Sequence, residues 1–468
     1  MFSLALSAQN PFVTIWDLSL DEGSGPNQVL FYANFNQEEV DYSWQELSPG
    51  NSSGSGQLGL KEGTSFLIPE LPENAVIALS IASEHLTIFR ANGKDSKRLI
   101  DIKAWGDAAW TDLHLAFNGC HNLNITATDI PDLSQTWRIS QMFKDCHTLN
   151  GPQNIDMWDV SNVYLMEGVF YNALSFNQPI GSWHFPNSAY LTFFFQNATS
   201  FNQDISSWDV SNIINFYGMF YGASSFNQNI GIWDVNCPAD GIAAMFKNAT
   251  SFNQDIGGWD ISCGPDISET FSGATSFNQD LSNWDVSEIR NFRGLFDGAT
   301  SFDQDLSSWN IRGNVRLDHM LDHSGLSCEN YDKFLTSLAN NPQIIDSREL
   351  GAAGLNYWKA DQARQTLIND YNWQIIGDTY SECNYISSTS HASILKEIQV
   401  FPNPTTNHFQ LKVDQTVTLL IRNVNGQARR PPVELMEGSH IIRVDDLMPG
   451  IYALIFSNGQ IEKLIIQR

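Results

Sequence analysis

Seven positions spaced 25 or 26 residues apart hold Asp159, His184, Asp209, Asp234, Asp260, Asp285 and Asn310, each directly after a tryptophan. Two residues further on, a parallel series reads Ser161, Pro186, Ser211, Asn236, Ser262, Ser287 and Arg312. Carboxylates repeated in register have two chemistries open to them: gripping a cationic protein surface, or coordinating calcium. Neither is compelled. Carboxylates about 5 Å apart in water repel by under roughly 1 kcal/mol, and salt lowers that further. The dense Asp-x-Asp-x-Asp oxygen clustering of a calcium loop is also missing. A solvated face is the plain alternative, so no cofactor is expected, and calcium is the one ion the column could take.

Catalytic constellations are not found. The ten histidines are scattered, and there is no His-Glu-x-x-His or phosphate loop. Ser and Asp recur as repeat residues, not as an isolated set, and the chain is expected not to be an enzyme. Exposed aromatics such as Tyr171, Tyr217 and Tyr221 could stack on sugars, although a lone tyrosine on a coil edge is commonly incidental. The Asn-x-Thr triplets at Asn197 and Asn248 belong to the repeat and are not read as glycosylation signals.

The six cysteines fall in pairs. Cys120 and Cys146 are one repeat apart, as are Cys237 and Cys263, while Cys328 and Cys383 would close a later segment. Equivalent positions in adjacent coils bring Cα atoms to about 5 Å, within disulfide range. Three disulfides are therefore expected, with a ladder of buried free thiols as the alternative. No Cys-x-x-Cys suggests zinc.

The elements that must position these residues follow from the repeat itself. Trp158, Trp183, Trp208, Trp233, Trp259, Trp284 and Trp309 recur at five intervals of 25 and one of 26. A fixed period of this length marks stacked coils. Within one copy, Ile205-x-x-Trp208-x-Val210-x-x-Ile213 has leucine-rich spacing, which predicts a strand with Trp and Val inward and Asp209 and Ser211 outward. The following stretch, Ile214 to Gly222, suits one or two helical turns. The predicted fold class is thus an α/β repeat solenoid, leucine-rich-repeat-like, with a strand and a short helical segment in each 25-residue coil, flanked by small all-β domains. The tryptophans form its spine together with two phenylalanine columns, one from Phe170 to Phe296 and one from Phe176 to Phe302. Asn177, Asn202, Asn227, Asn253 and Asn278 follow the second column and read as an asparagine ladder satisfying backbone groups of neighbouring coils.

Residues 1–10 resemble the end of a secretory signal peptide, with Leu4-Ala5-Leu6 before Ser7-Ala8. Residues 11–98 alternate in short apolar runs and predict a β-sandwich-like module. The repeats occupy 99–323, and 324–383 carries helical patterning at Tyr331 to Leu338 and Ala360 to Tyr371, which would cap the last apolar coil. A polar linker, 384–397, precedes a β-sandwich over 398–468 with turn signals at Asn425-Gly426 and Asn458-Gly459.

Net charge is −27 with only 16% charged residues, because Lys and Arg are scarce. That argues against nucleic acid or an anionic membrane surface as partner. No run of eighteen apolar residues is present to span a bilayer.

The unit Met/Leu-Phe-x-x-Ala-x-Ser-Phe-Asn-Gln-x-Ile/Leu-x-x-Trp-Asp-Val-Ser resembles that of the bacterial BspA-like leucine-rich repeat surface proteins. Val400-Phe401-Pro402-Asn403-Pro404, Leu447-x-Pro449-Gly450-Ile451-Tyr452 and Lys463-Leu464-Ile465-Ile466 resemble the type A sorting domain of the type IX secretion system of Bacteroidetes. Arg429-Arg430-Pro431-Pro432 departs from that pattern, where a shorter turn is usual. The resemblances imply a secreted or cell-surface protein engaging the type IX machinery. With the outward columns on the concave face of a leucine-rich horseshoe, they imply adhesion to a protein or glycan. A carbohydrate-active enzyme on a β-solenoid and a structural surface-layer component are the other readings.

Overall fold

The computed structural model describes residues 10–20, 23–59, 65–187, 189–235, 241–262, 264–383, 400–401, 408–413, 417–423, 433–435, 438–444, 447, 450–456 and 461–466. The signal-peptide reading of 1–9, the linker and the Arg429 to Pro432 turn lie outside them. Two compact units, 1–383 and 384–468, are considered separately.

Alternating apolar residues make the first strands. They are β1 (Phe12–Asp17), β2 (Val29–Phe35), β3 (Glu39–Ser48), β4 (Ser53–Gly59), β5 (Ser65–Ile68), β6 (Val76–Ile81), β7 (Leu86–Arg90), β8 (Leu99–Ala104) and β9 (Asn124–Ile125). One sheet runs β4-β3-β6-β1-β8-β9 and a second β5-β2-β7. Phe12 on β1 meets Phe89 on β7 at 4.9 Å, edge to face, and joins the two sheets in one core. A buried pair braces the module. Arg98 donates to Asp95 (3.1 Å) and to the carbonyls of Leu20 and Gly25, while Asp95 accepts from the N–H groups of Ser24 and Leu30. Strand β8 then pairs in parallel with β9, which belongs to the first coil, so the sheet leads directly into the stack.

In the coils the backbone alternates its partners. Met219, Tyr221 and Ala223 donate to the carbonyls three residues back, at 3.0–3.1 Å, closing tight turns. Gly218, Phe220 and Gly222 donate instead to Ala243, Met245 and Lys247 of the next coil, at 3.0, 2.9 and 2.7 Å. The same alternation links Gly168, Phe170 and Asn172 to their successors, and recurs from Glu269, Phe271 and Gly273.

This geometry overturns the expected α/β repeat. The two α-helices among the described residues lie beyond the repeats, the regular structure is mostly β (23% strand against 7% helix), and β-pairing between successive coils takes the form of isolated parallel bridges such as Leu165 with Tyr190 and Tyr190 with Asn215. The reason is backbone handedness. Each coil places two residues in the left-handed region four apart, at Gly218 (φ +59°) and Gly222 (φ +69°), or Glu269 (φ +57°) and Gly273 (φ +69°). A left-handed residue in every turn stops helical propagation and aims alternate N–H groups at the next coil. The predicted strand at Trp208 is likewise a short extended step between turns. Trp208 and Val210 are buried and Asp209 is exposed, but no continuous concave sheet runs beneath them.

The interior consists of stacked columns. Phe170, Phe195, Phe220, Phe246, Phe271 and Phe296 lie 5.6–5.9 Å apart with nearly parallel rings. The column from Phe176 to Phe302 repeats at 6.0–6.1 Å. The spine tryptophans are buried, and from Trp183 onward each indole N–H donates to a carbonyl of the coil before, as Trp208 does to Ile180 (2.8 Å). At the bend, the Oδ1 atoms of Asn177, Asn202, Asn227 and Asn253 accept the N–H of the next ladder residue at 2.9 Å. Asp303 ends this ladder. As its Oδ1 only accepts, from Ser327 N–H and Asn330 Nδ2, a carboxylate serves there as well as an amide.

Helices α1 (Cys328–Ala339) and α2 (Asp361–Asn369) cover the end of the stack, with short strands β10 (Glu349–Gly351), β11 (Asn356–Tyr357), β12 (Gln374–Ile376) and β13 (Thr379–Tyr380). β10 pairs with β12 and β11 with β13, both in parallel. Buried Asp378 accepts two bonds from Arg364, each 2.7 Å, and one from the Tyr331 hydroxyl at 3.1 Å, tying both helices to the β12–β13 turn.

Of the expected disulfides, Cys328–Cys383 is present, with Cα atoms 6.4 Å apart. Cys120 and Cys146 are free and buried. Each occupies the place taken by alanine in Phe170-x-x-Ala173. Their thiols point the same way along the stack, to the carbonyls of Ala91 and Phe117, and not at each other. Cys237 and Cys263 lie outside the described residues.

The second unit comprises β14 (Val400–Phe401), β15 (His408–Val413), β16 (Val417–Asn423), β17 (Val433–Leu435), β18 (Gly438–Arg443), β19 (Gly450–Phe456) and β20 (Ile461–Ile466). They form antiparallel sheets ordered β14-β15-β18 and β17-β16-β19-β20.

Two outcomes test this account. Asn202→Leu strands the Asn227 N–H and should lower unfolding free energy by about 1–3 kcal/mol in urea titration, whereas Asn202→Asp, which keeps the acceptor, should cost much less. Burial raises the pKa of the Cys120 and Cys146 thiols. Both should resist alkylation in the native protein and react only on unfolding.

Candidate partner-binding face

The outward residues arise from a turn that the sequence repeats. After four of the inward tryptophans an aspartate begins an Asx turn, in which its carboxylate takes the N–H two residues on. Asp159 accepts from Ser161 N–H (3.0 Å), Asp209 from Ser211 (3.1 Å), Asp260 from Ser262 (3.0 Å) and Asp285 from Ser287 (3.0 Å). The Ser211 hydroxyl adds a 2.7 Å bond to the same Asp209 oxygen. The serine hydroxyl, with its N–H, holds the carboxyls of Asp159 and Asp209 below the usual range; for Asp285 the Ser287 N–H leads. Asp-x-Ser is therefore first of all a structural device.

The structure keeps the predicted column together. Asp159, His184, Asp209, Asp234, Asp260, Asp285 and Asn310 are all exposed, and backbone bonds between coils hold them in register. The second column is less open. Ser161 is exposed, Ser211 and Ser262 are partly covered, and Ser287 is buried. Arg312 is not a free contact residue. Its guanidinium donates to the Ser287 carbonyl (3.0 Å) and to Glu288 (3.0 Å), bridging to the coil before. Among the described residues no group of three or more His, Cys, Asp or Glu side chains is arranged to hold a metal ion.

Other surface features are less legible in sequence. Tyr217 is exposed, as are Trp137, Tyr164 and Tyr190, whereas Tyr171 and Tyr221 lie under Lys144 (4.9 Å) and Lys247 (5.6 Å). Later coils carry an ion-pair chain. Glu269 binds Lys247 and Arg293, each at 2.5 Å, and Arg293 continues to Asp318 at 3.1 Å. Several of the chain's few cations are thus held by neighbouring acids.

The Asx turns set a pH dependence. Groups with depressed pKa in the folded state stabilise it above their unfolded pKa of about 3.9, and that contribution is lost as pH falls through the folded value. Melting temperature should therefore hold between about pH 7 and 5 and fall below about pH 4, with the loss reduced in a Ser161→Gly/Ser211→Gly/Ser287→Gly variant.

Comparison with known families adds two findings. Residues 88–193, 137–241 and 239–334 match a family described as Mycoplasma protein of unknown function, DUF285. Residues 399–467 match the secretion system C-terminal sorting domain. No curated protein matches the chain. The sorting domain is that of the type IX system and marks a secreted or outer-membrane cell-surface protein. No described helix is long and apolar enough to cross a membrane. The repeat matches together span more than half of the 468 residues, so the chain belongs to the DUF285 family and carries a secretion sorting domain after its repeats.

Proposed function

We propose that the coil stack is a non-catalytic binding surface, displayed at the cell surface to hold a protein or glycan partner in the manner of BspA-like surface proteins. The observation that carries this reading is the exposed column from Asp159 to Asn310, held in register while the Trp and Phe columns are buried. Residues in register on parallel-bridged coils repeat at about 4.8 Å, so the carboxylates form a continuous row. With a net charge of −27 behind it, the row favours a cationic or neutral partner. Each Asx turn uses Oδ1, which leaves Oδ2 to meet the partner. The positions where the column changes chemistry, His184 and Asn310, are the natural places for selectivity.

The test separates charge from fold. Asn replaces Asp in an Asx turn without loss of the acceptor, so an Asp209→Asn/Asp234→Asn/Asp260→Asn variant should keep its melting temperature. Screened against matrix proteins and glycans, with and without calcium, it should bind the wild-type partner at least tenfold more weakly. Unchanged affinity would remove the column from the interface.

A further inference from the structure

One long side of the coil stack changes its chemistry from end to end. The parallel bridges between coils run through Arg138, Leu165, Tyr190 and Asn215, then through Asp266, Asn291 and Arg316, and the Leu317–Leu350 bridge carries the register on to Glu349. Gly241 holds the same place in the coil between, since Gly218 bonds to Ala243 as Phe193 does to Tyr217. The bridging position thus has nine levels, with Gly241 at the fifth. At this position or the one before it, the first three levels carry Trp137, Tyr164 and Tyr190, which are 49, 50 and 39% exposed. The last three carry Arg290, Arg316 and Arg348, and the side chains of Arg290 and Arg316 are 46 and 59% exposed. Three aromatic rings at one end match three guanidinium groups at the other.

The same backbone spaces both sets. Tyr164 N–H donates to the Trp137 carbonyl (3.0 Å) and Tyr190 N–H to that of Tyr164 (3.2 Å), and Arg316 N–H donates likewise to the Arg290 carbonyl (2.9 Å). Arg290 is paired with Glu288 and Arg316 with Asp318, each at 3.1 Å, and Arg348 donates to Asn314. Those bonds use the edge of the guanidinium plane and leave its faces free to stack on an aromatic ring. The chain makes such stacks within itself. Arg364 lies 4.7 Å from the Tyr357 ring centre while bonded to Asp378, and Arg90 lies 5.2 Å from that of Tyr32 while bonded to Asp112. Among the described residues no cation lies over Trp137, Tyr164 or Tyr190. Large exposed aromatics grouped on one face mark an interaction surface. The symmetry of the levels says what covers it. A two-fold axis lying across the face at Gly241, perpendicular to the stack, sets the first level of one copy against the ninth of another. Trp137 then meets Arg348, Tyr164 meets Arg316 and Tyr190 meets Arg290, each twice. Eight steps of about 4.8 Å make the face roughly 38 Å long. At a width of about 20 Å that supplies the roughly 800 Å² per partner of a standard interface.

We infer that this side of the stack docks a second copy of the chain, antiparallel, with the aromatic levels of each copy stacked on the arginine levels of the other. Sedimentation equilibrium of the full chain at about 0.15 M salt should give twice the mass of one chain, with a dissociation constant below about 10 µM. Arg290→Glu/Arg316→Glu and Trp137→Ser/Tyr164→Ser change exposed side chains, so each variant should keep the wild-type circular dichroism while dimerising at least tenfold more weakly. A Tyr164→Cys/Arg316→Cys variant reads the register directly. Its two thiols sit six levels apart in one chain, about 29 Å, far beyond disulfide reach. Mild oxidation should therefore trap it as a covalent dimer, and should not trap Tyr164→Cys alone. A monomer at about 50 µM overturns the inference. So does a dimer that both surface variants leave intact, one that the cysteine pair fails to link, or one that Tyr164→Cys alone links to itself.

Discussion

The backbone hydrogen bond from one coil to the next, made by every second residue, is the constraint on which the rest of this structure depends. It needs the intervening N–H groups to be satisfied within the coil, and tight turns closing three residues back do this. The two requirements together place left-handed residues four apart. A helix would keep its N–H groups for itself and leave neighbouring coils without a link. The coils are therefore turn-built, and their cohesion is shared between these bonds and the buried aromatic columns.

Register follows from the same bonds. Once coil and successor are locked together, every side-chain type repeats in a column and must suit its own copy as neighbour. Phenylalanine does so by near-parallel stacking. Tryptophan does so by lending its indole N–H to the coil before, and asparagine by accepting the next coil's N–H. Both ends need different solutions. At one, β8 pairs with the first coil; at the other, two helices close over the last coils and are pinned by Asp378, Arg364 and Tyr331. Trp158, the first of its column, has a buried indole N–H with no partner.

A column built for stability can also be a surface for recognition, because it offers one chemical group many times at fixed spacing. In the aspartates one oxygen closes the turn that sets the spacing, and the residue stays exposed. The sorting domain marks the chain that carries this surface as secreted or displayed at the outer-membrane cell surface.

Much was legible before the fold was known. The period, the inward Trp and Phe columns, the outward Asp column, the asparagine ladder and the helices near Tyr331 and Ala363 are periodic or local signals, and a chain repeating every 25 residues determines by itself which side chains share a column. The helical turn predicted for Ile214 to Gly222 was wrong for a specific reason. The second left-handed position in each coil is filled mostly by Gly, Asn or Asp, but the first holds Leu115, Gln141, Phe193, Ala244, Glu269 or His319 as readily as glycine, residues that carry no local sign of positive φ. Only the bond to the next coil compels that backbone. Likewise Cys120 and Cys146 share a column, yet the direction of their thiols along the stack, and hence their failure to pair, was decided by packing in three dimensions. Periodicity thus determined which residues are neighbours, while tertiary hydrogen bonding decided backbone handedness and thiol direction, because each depends on the coil beyond.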